Sequence, residues 1–222
     1  LLSPQPGERI LEIGCGTGGE LLELARALPA ARFTGVDISR PSIARAREAC
    51  RREGLAARVE LVEGDYMATA GGPWDLVLSD STFHLMEVSL ERLLAKLLGE
   101  LKPGGLLLFT MPLASPYNRL LVAFRRVLRL CRGRLLDGLI LRAGRLLHGD
   151  MPVAQLRERI HYMYVVPNKY WSPRLERRLE GEFGLRALAV EFLPQASLAQ
   201  PRHIMALHRL DPGGGGEGKE EE

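Results

Sequence analysis

The sequence predicts an α/β fold: a doubly wound, mostly parallel sheet with helices on both faces. Three observations predict it. Short apolar runs alternate with longer stretches whose leucines and alanines recur at helical spacing. The runs are largely apolar, as expected of strands buried on both faces. The first run, Arg9 to Ile13, leads straight into Gly14-Cys15-Gly16-Thr17-Gly18 and then into a helical pattern. Glycines in such a turn let the backbone reach φ > 0, and the amides that open the next helix face a ligand.

Taken in order, Pro4 to Gly7 is a polar lead-in and Arg9 to Ile13 the first, central strand. Leu21, Leu24, Ala25 and Leu28 mark a helix from Glu20 to Leu28, stopped by Pro29. Phe33 to Asp37 is the second strand and ends on an acid. Ser39 caps the next helix, Pro41 suits its first turn, and the helix runs to about Glu53 before Gly54 closes it. Val59 to Val62 is a third strand, followed by Gly64-Asp65-Tyr66. Trp74 to Ser79 is a fourth, followed by Asp80-Ser81-Thr82-Phe83-His84. The leucines at 90, 93, 94, 97, 98 and 101 form one helix stripe. Pro103-Gly104-Gly105 reads as a turn and Leu106 to Thr110 as a fifth strand. Ligands bind beyond the carboxyl ends of such strands. Gly14 to Gly18, Asp37, Asp65-Tyr66 and Ser79 to His84 all fall there.

Residues 112 to 172 read as an insertion of two or three short basic amphipathic helices over the ligand end of the sheet. Ten arginines lie between Asn118 and Ile160, opposed by Asp137, Asp150 and Glu158. Leu121, Phe124, Leu128 and Cys131 are expected on the inward face of the first, with Arg125, Arg129 and Arg132 off it. Ser172 to Phe183 is a further helix, and Leu185 to Leu193 and His203 to Arg209 are closing strands. Residues 1 to 210 thus form one domain. The glycine- and glutamate-rich tail, 211 to 222, lacks core-forming residues and is expected to be disordered.

Composition bounds the function classes. The 222 residues are 46% hydrophobic and 26% charged, ordinary for a globular domain, and the net charge of +3 is mild. No uncharged apolar run reaches the ~18 residues of a membrane span, and no signal peptide is visible. Cys15, Cys50 and Cys131 form neither a metal-ligand cluster nor a disulfide framework, so a cytoplasmic location is expected. The chain begins with Leu1 rather than Met, which points to a fragment or processed form whose upstream segment is missing.

The glycine turn admits two readings. Gly14-x-Gly16-x-x-Gly19, with Asp37 about 20 residues on, satisfies the dinucleotide fingerprint of a nicotinamide-dependent oxidoreductase. Glu12, Gly14, Gly16 and Gly18 also fill the form hydrophobic-Leu-acid-hydrophobic-Gly-x-Gly-x-Gly. That form, Gly64-Asp65, Trp74-Asp75-Leu76-Val77 and Lys102-Pro103-Gly104-Gly105-Leu106 together resemble the class I S-adenosylmethionine-dependent methyltransferases. The resemblance covers residues 8 to 110 and the closing strands. It implies a seven-stranded Rossmann-like sheet whose last strand is antiparallel, with the helical insertion after strand 5.

It also implies a cofactor site for S-adenosylmethionine. Gly14, Gly16 and Gly18, with Cys15 and Thr17 between them, would wrap the methionine part. Glu12 would support the turn and reach the ammonium. Asp37 would accept both ribose hydroxyls, since a carboxylate accepts two hydrogen bonds at once. Asp65 would accept from the adenine amino group, and Tyr66 or Ile38 would pack on its ring. Ser79 and Asp80 would close over the methionine end. No metal is implied.

An already activated methyl group chiefly needs a positioned acceptor, and a base only where the acceptor must lose a proton. His84, after the fourth strand, is the first candidate base; Asp80, His161 and Tyr162 are the others, with Asp80 read rather as a cofactor-side group. As an alternative, His84 is a helix-start histidine bonded to backbone. Relatives that methylate amino groups of nucleic-acid bases or glutamine carry Asn-Pro-Pro-Tyr where this chain has Ser79-Asp80-Ser81-Thr82, which argues against that chemistry. Tyr164, Tyr170 and Trp171 extend an aromatic cluster that either lines an apolar acceptor pocket or packs the insertion on the sheet. His203 and His208 read as structural or exposed. The arginine-rich helices, 119 to 147, admit a solvated face, a peripheral contact with anionic lipid, or a site for an acidic acceptor. Nucleic acid is least favoured. The expected function is methyl transfer to a small, hydrophobic acceptor at oxygen, nitrogen or carbon. A non-catalytic, cofactor-binding regulatory protein of the same fold is the remaining alternative. The sequence names neither the acceptor nor the oligomeric state.

Overall fold

The computed structural model describes residues 7–147, 164–195 and 200–212. Its strands are β1 (Arg9–Ile13), β2 (Arg32–Asp37), β3 (Val59–Glu63), β4 (Trp74–Ser79), β5 (Leu101–Pro112), β6 (Leu185–Phe192) and β7 (His203–Leu210). They form one sheet in the order β3-β2-β1-β4-β5-β7-β6. The first five pair in parallel, and β7 runs antiparallel between β5 and β6. This is the doubly wound sheet expected, with the antiparallel strand that the family resemblance implied. The described helices are α1 (Gly19–Ala27), α2 (Arg40–Arg52), α3 (Leu90–Glu100), α4 (Pro116–Leu130), α5 (Arg134–Leu147) and α6 (Pro173–Gly181).

Successive strand residues point to opposite faces, and two cores follow. Ile10, Leu76 and Leu78 meet Leu21 and Ala25 of α1 and Ile43 and Ala46 of α2. Leu11 and Val77 turn the other way and join Leu107, Phe109, Leu93 and Leu97 of α3, and Leu179 of α6. Serine starts most of the helices. Ser39, Ser89, Ser115 and Ser172 each accept a hydrogen bond from a first-turn amide of α2, α3, α4 and α6. α1 differs. Its cap is Gly18, at φ 79°, which brings no side chain to its first-turn amides.

Two expectations are corrected. β5 does not begin after the Pro103-Gly104-Gly105 turn but at Leu101; Gly104 at φ 77° and a register shift opposite Trp74 and Leu76 absorb the irregularity. α4 is rotated relative to the expected face. Asn118, Val122 and Arg125 are buried, while Phe124 and Cys131 are exposed. The reason is polar. Asn118 Nδ2 donates to the carbonyls of Leu113 and Arg202, and its Oδ1 accepts from the Arg202 amide. A fully buried amide with these bonds fixes the rotation of the helix more firmly than interchangeable leucines do. Arg125 then reaches inward and donates to the Val165 carbonyl at 3.0 Å. Of the expected tail, Asp211 and Pro212 are described, and the Asp211 amide donates to the Gly184 carbonyl; residues 213–222 and the Pro4 end of the lead-in lie outside the described residues.

Glu176 of α6 joins this helix to the sheet. Its carboxylate meets His208 Nε2 at 2.6 Å and accepts from Trp171 Nε1 at 2.7 Å. His208 stacks on Phe109 with ring centroids 5.5 Å apart. Glu176→Ala leaves two ring nitrogens buried without partners, so unfolding free energy should fall by roughly 2 to 4 kcal/mol, measured by urea denaturation. A loss within about 0.5 kcal/mol would show that water replaces the carboxylate at no cost.

Candidate functional site

The glycine turn is built by strand geometry and one carboxylate. The amides of Gly14 and Cys15 both donate to the Val36 carbonyl, extending the β1–β2 pairing past the strand end. Asp37 then accepts from the Gly16 amide through Oδ2 at 2.8 Å and from the Ser39 amide through Oδ1 at 2.7 Å. Gly14, Gly16 and Gly18 all sit at positive φ. A Cβ on Gly14 would run into the Thr82 side chain, so the turn passes under the segment that follows β4. Cys15 is buried against Gly35, and burial pushes its thiol up to about 12, so it fills space and stays neutral.

Carboxylates crowd this turn. Glu12 is 4% exposed, and its Oε2 has no partner among the described residues. Burial raises its pKa to about 7, helped by the charges of Glu20 and Asp80, against one hydrogen bond from the Leu21 amide. Glu20 is raised by burial and by Asp80 in the same way. Such a cluster is unfavourable alone and becomes favourable around a cation. It would repel the pyrophosphate of a dinucleotide.

The end of β4 is held in a strained turn. Ser81 stands at φ 51°, and its amide donates to Thr110 Oγ1 at 2.7 Å. Thr110 Oγ1 in turn lies 2.5 Å from Asp80 Oδ1. Ser79 Oγ is buried without a partner among the described residues. Between this turn, β2 and β3 lies a cavity of about 590 Å³. Gly14, Asp37, Ile38, Asp65, Met67 and Thr82 line it, and Leu85, Met86 and Val88 close its far side. Ile38 is 78% exposed and positioned as an apolar face. Asp65 gives one carboxylate oxygen to the Met67 amide. Tyr66 also borders the cavity, yet its hydroxyl donates to Glu100 at 3.0 Å and the Lys96 ammonium lies 4.9 Å from its ring centroid. The tyrosine therefore anchors the Asp65 turn to α3, which favours Ile38 over Tyr66 as the ring-packing residue.

Residues 10–105 match the family described as Methyltransferase domain. The match spans a little under half of the chain and makes it similar to this methyltransferase family over that stretch. Trans-aconitate 2-methyltransferase of Streptomyces avermitilis is 33% identical over 53% of this chain and 45% of its own length. The fatty-acid O-methyltransferase of Mycolicibacterium smegmatis is 35% identical over 47% of this chain and 37% of its own. The matched stretch is thus less than half the length of either relative. Geranyl diphosphate C-methyltransferase of Streptomyces coelicolor A3(2), solved with S-adenosyl-L-homocysteine, superposes with a TM-score of 0.61 at 12% identity, covering 93% of this chain and 75% of that one.

The cofactor of this methyltransferase family is S-adenosylmethionine, and the residues present fit it. The unpartnered Glu12 oxygen and its acidic neighbours suit a ligand with an ammonium and a sulfonium. Asp37 keeps lone pairs for two hydroxyls after its two backbone bonds. On the acceptor side His84 is placed differently from the expectation. It is buried, its carbonyl accepts from the Asn168 amide, and its Nδ1 has no partner among the described residues. The His203 ring centroid is 5.7 Å away. Burial, with His203, Lys169 and Arg125 nearby, holds His84 down at about 3. It is not among the residues that line the cavity; its neighbours Leu85 and Met86 are. His161 and Tyr162 lie outside the described residues. Thr110 was missed by sequence reasoning: a lone threonine inside an apolar strand carries no pattern.

Glu12 gives this site a pH signature. Its folded value of about 7 exceeds the usual 4.5. Between these values the folded chain keeps a proton that the unfolded chain has released. Ligand-free stability therefore falls as pH rises from about 4.5 to about 7, by on the order of 3 kcal/mol. Urea denaturation at about pH 5 and about pH 8 should show that fall in the wild type and a much smaller one in Glu12→Gln.

Proposed function

We propose that the chain transfers the methyl group of S-adenosylmethionine to a small, largely apolar acceptor, at oxygen in the first instance and otherwise at nitrogen or carbon. The observation that carries this reading is the buried carboxylate of Glu12, one oxygen of which has no partner among the described residues, beside a glycine turn ringed by acids. It favours a cationic amino-acid group over the pyrophosphate of a nicotinamide dinucleotide. The names of the relatives support both oxygen and carbon as acceptor atoms.

When bound, S-adenosylmethionine supplies an electrophilic methyl group on a sulfonium. The chain's own work is then positioning. Gly14, Cys15, Gly16, Thr17 and Gly18 bring main chain close to the ligand. Glu12 takes its ammonium and Asp37 its ribose. Asp65 offers its second oxygen to the adenine amino group, and Ile38 covers the ring. Ser79 and Asp80, braced by Ser81 and Thr110, close the methionine end. His84, buried behind the cavity-lining Leu85 and Met86 and neutral across the physiological range, is a positioning residue rather than a proton store.

Titration with S-adenosylhomocysteine, with a nicotinamide dinucleotide as control, tests the cofactor. The former should bind alone. Asp37→Ala should weaken it by at least about tenfold, through loss of charge-assisted hydrogen bonds. Gly16→Arg should abolish it, because the open space over Gly16 is where the ligand approaches. Unchanged affinity in both variants overturns the site. Turnover is read as S-adenosylhomocysteine formed with phenolic, quinone-like and lipid acceptors. If His84 positions rather than titrates, the pH profile of kcat shows no ionisation near the ordinary histidine value of about 6.5; a base limb there that vanishes in His84→Asn overturns that role.

A further inference from the structure

We propose that α4 and α5 form a docking surface for an anionic lipid bilayer, on which the domain rests without crossing. The rotation imposed by Asn118 leaves an apolar stripe facing outward. Leu120, Phe124, Val127 and Leu130 are 73%, 53%, 58% and 88% exposed. Their spacing puts them on one side of α4, over ~15 Å of its length. Leu135 and Leu139 of α5 are exposed as well. Arg119 and Arg126 flank the stripe along one edge, with Arg129 beyond them, all exposed.

Charge selects the occupant. No Asp or Glu lies between Glu100 and Asp137. Asp137 itself is engaged: the Tyr164 hydroxyl donates to it at 2.5 Å, and the Arg132 guanidinium lies 4.9 Å from the Tyr164 ring centroid. A second copy of this chain packed face to face would bring arginines against arginines with no acid to separate them. A nucleic acid would leave the leucines and Phe124 against phosphate. An anionic bilayer meets both demands at once. Its headgroups take the guanidinium groups, and the acyl boundary takes the apolar stripe. No helix among the described residues is long and apolar enough to cross a membrane, so the contact is one of lying on the surface. α4 starts four residues after β5 ends, at the carboxyl end of the sheet, where the glycine turn also lies. Lipid binding requires no turnover, so this inference stands or falls apart from the proposed activity.

Vesicle co-sedimentation of the full chain tests it, with phosphatidylcholine vesicles and with phosphatidylcholine–phosphatidylglycerol vesicles. The chain should sediment with the anionic vesicles and release at high salt. Phe124→Glu should weaken the binding about tenfold or more. Arg119→Gln and Arg126→Gln should each weaken it about fivefold. Three results overturn the proposal: no sedimentation with anionic vesicles, equal sedimentation with neutral ones, or a dimer by light scattering that Phe124→Glu disperses.

Discussion

Asp37 closes β2 and then bonds to two backbone amides that belong to different elements. One is Gly16, in the turn after β1; the other is Ser39, the cap of α2. The turn could not hold three positive-φ glycines in place by sterics, since glycine is the residue with the widest conformational choice. A charged acceptor between the two adjacent strands removes that freedom. The depth of the cavity, the direction of the α1 amides and the height of Asp37 above the sheet all depend on this bond pair. A side chain read from sequence as a ligand group is thus also the main internal brace of the site.

Around this brace the molecule accepts electrostatic cost. Glu20 and Asp80 raise the proton affinity of Glu12, Asp80 raises that of Glu20, and both glutamates are desolvated too. A protein built only for stability would have an uncharged residue at position 12. Repulsion of this sort is expected where the compensating charge arrives with a ligand. The Ser81 turn shows the same economy on the other side: an unfavourable backbone angle held by the Thr110 hydroxyl, itself bonded to Asp80.

The doubly wound architecture and most element limits were legible, because apolar runs, serine caps and the glycine turn are local signals; the antiparallel last strand came only with the family resemblance. β1 and β4 have the limits that the sequence predicts. What escaped was non-local. Nothing near Asn118 in sequence says that it binds Arg202, 84 positions on, so the buried face of α4 was assigned by hydrophobicity and came out turned. Tyr66 follows Asp65 and reads as a ring for adenine, but Glu100 and Lys96, one α3 turn apart, draw it toward α3. Arg125 reads as solvated and is buried. Each case is a polar group whose partner is distant in sequence, which periodicity cannot see.

The glycine that starts α1 has one more consequence. Serines finish α2, α3, α4 and α6 internally, so those helices are complete in the chain alone. α1 instead borrows a carboxylate from β1, since the Leu21 amide of its first turn donates to Glu12. The first helix of the sheet is thus capped across elements, by the side chain whose other oxygen faces the turn without a partner among the described residues. A ligand that engages Glu12 therefore also acts on the start of α1, so occupancy of the turn and stability of that helix are linked.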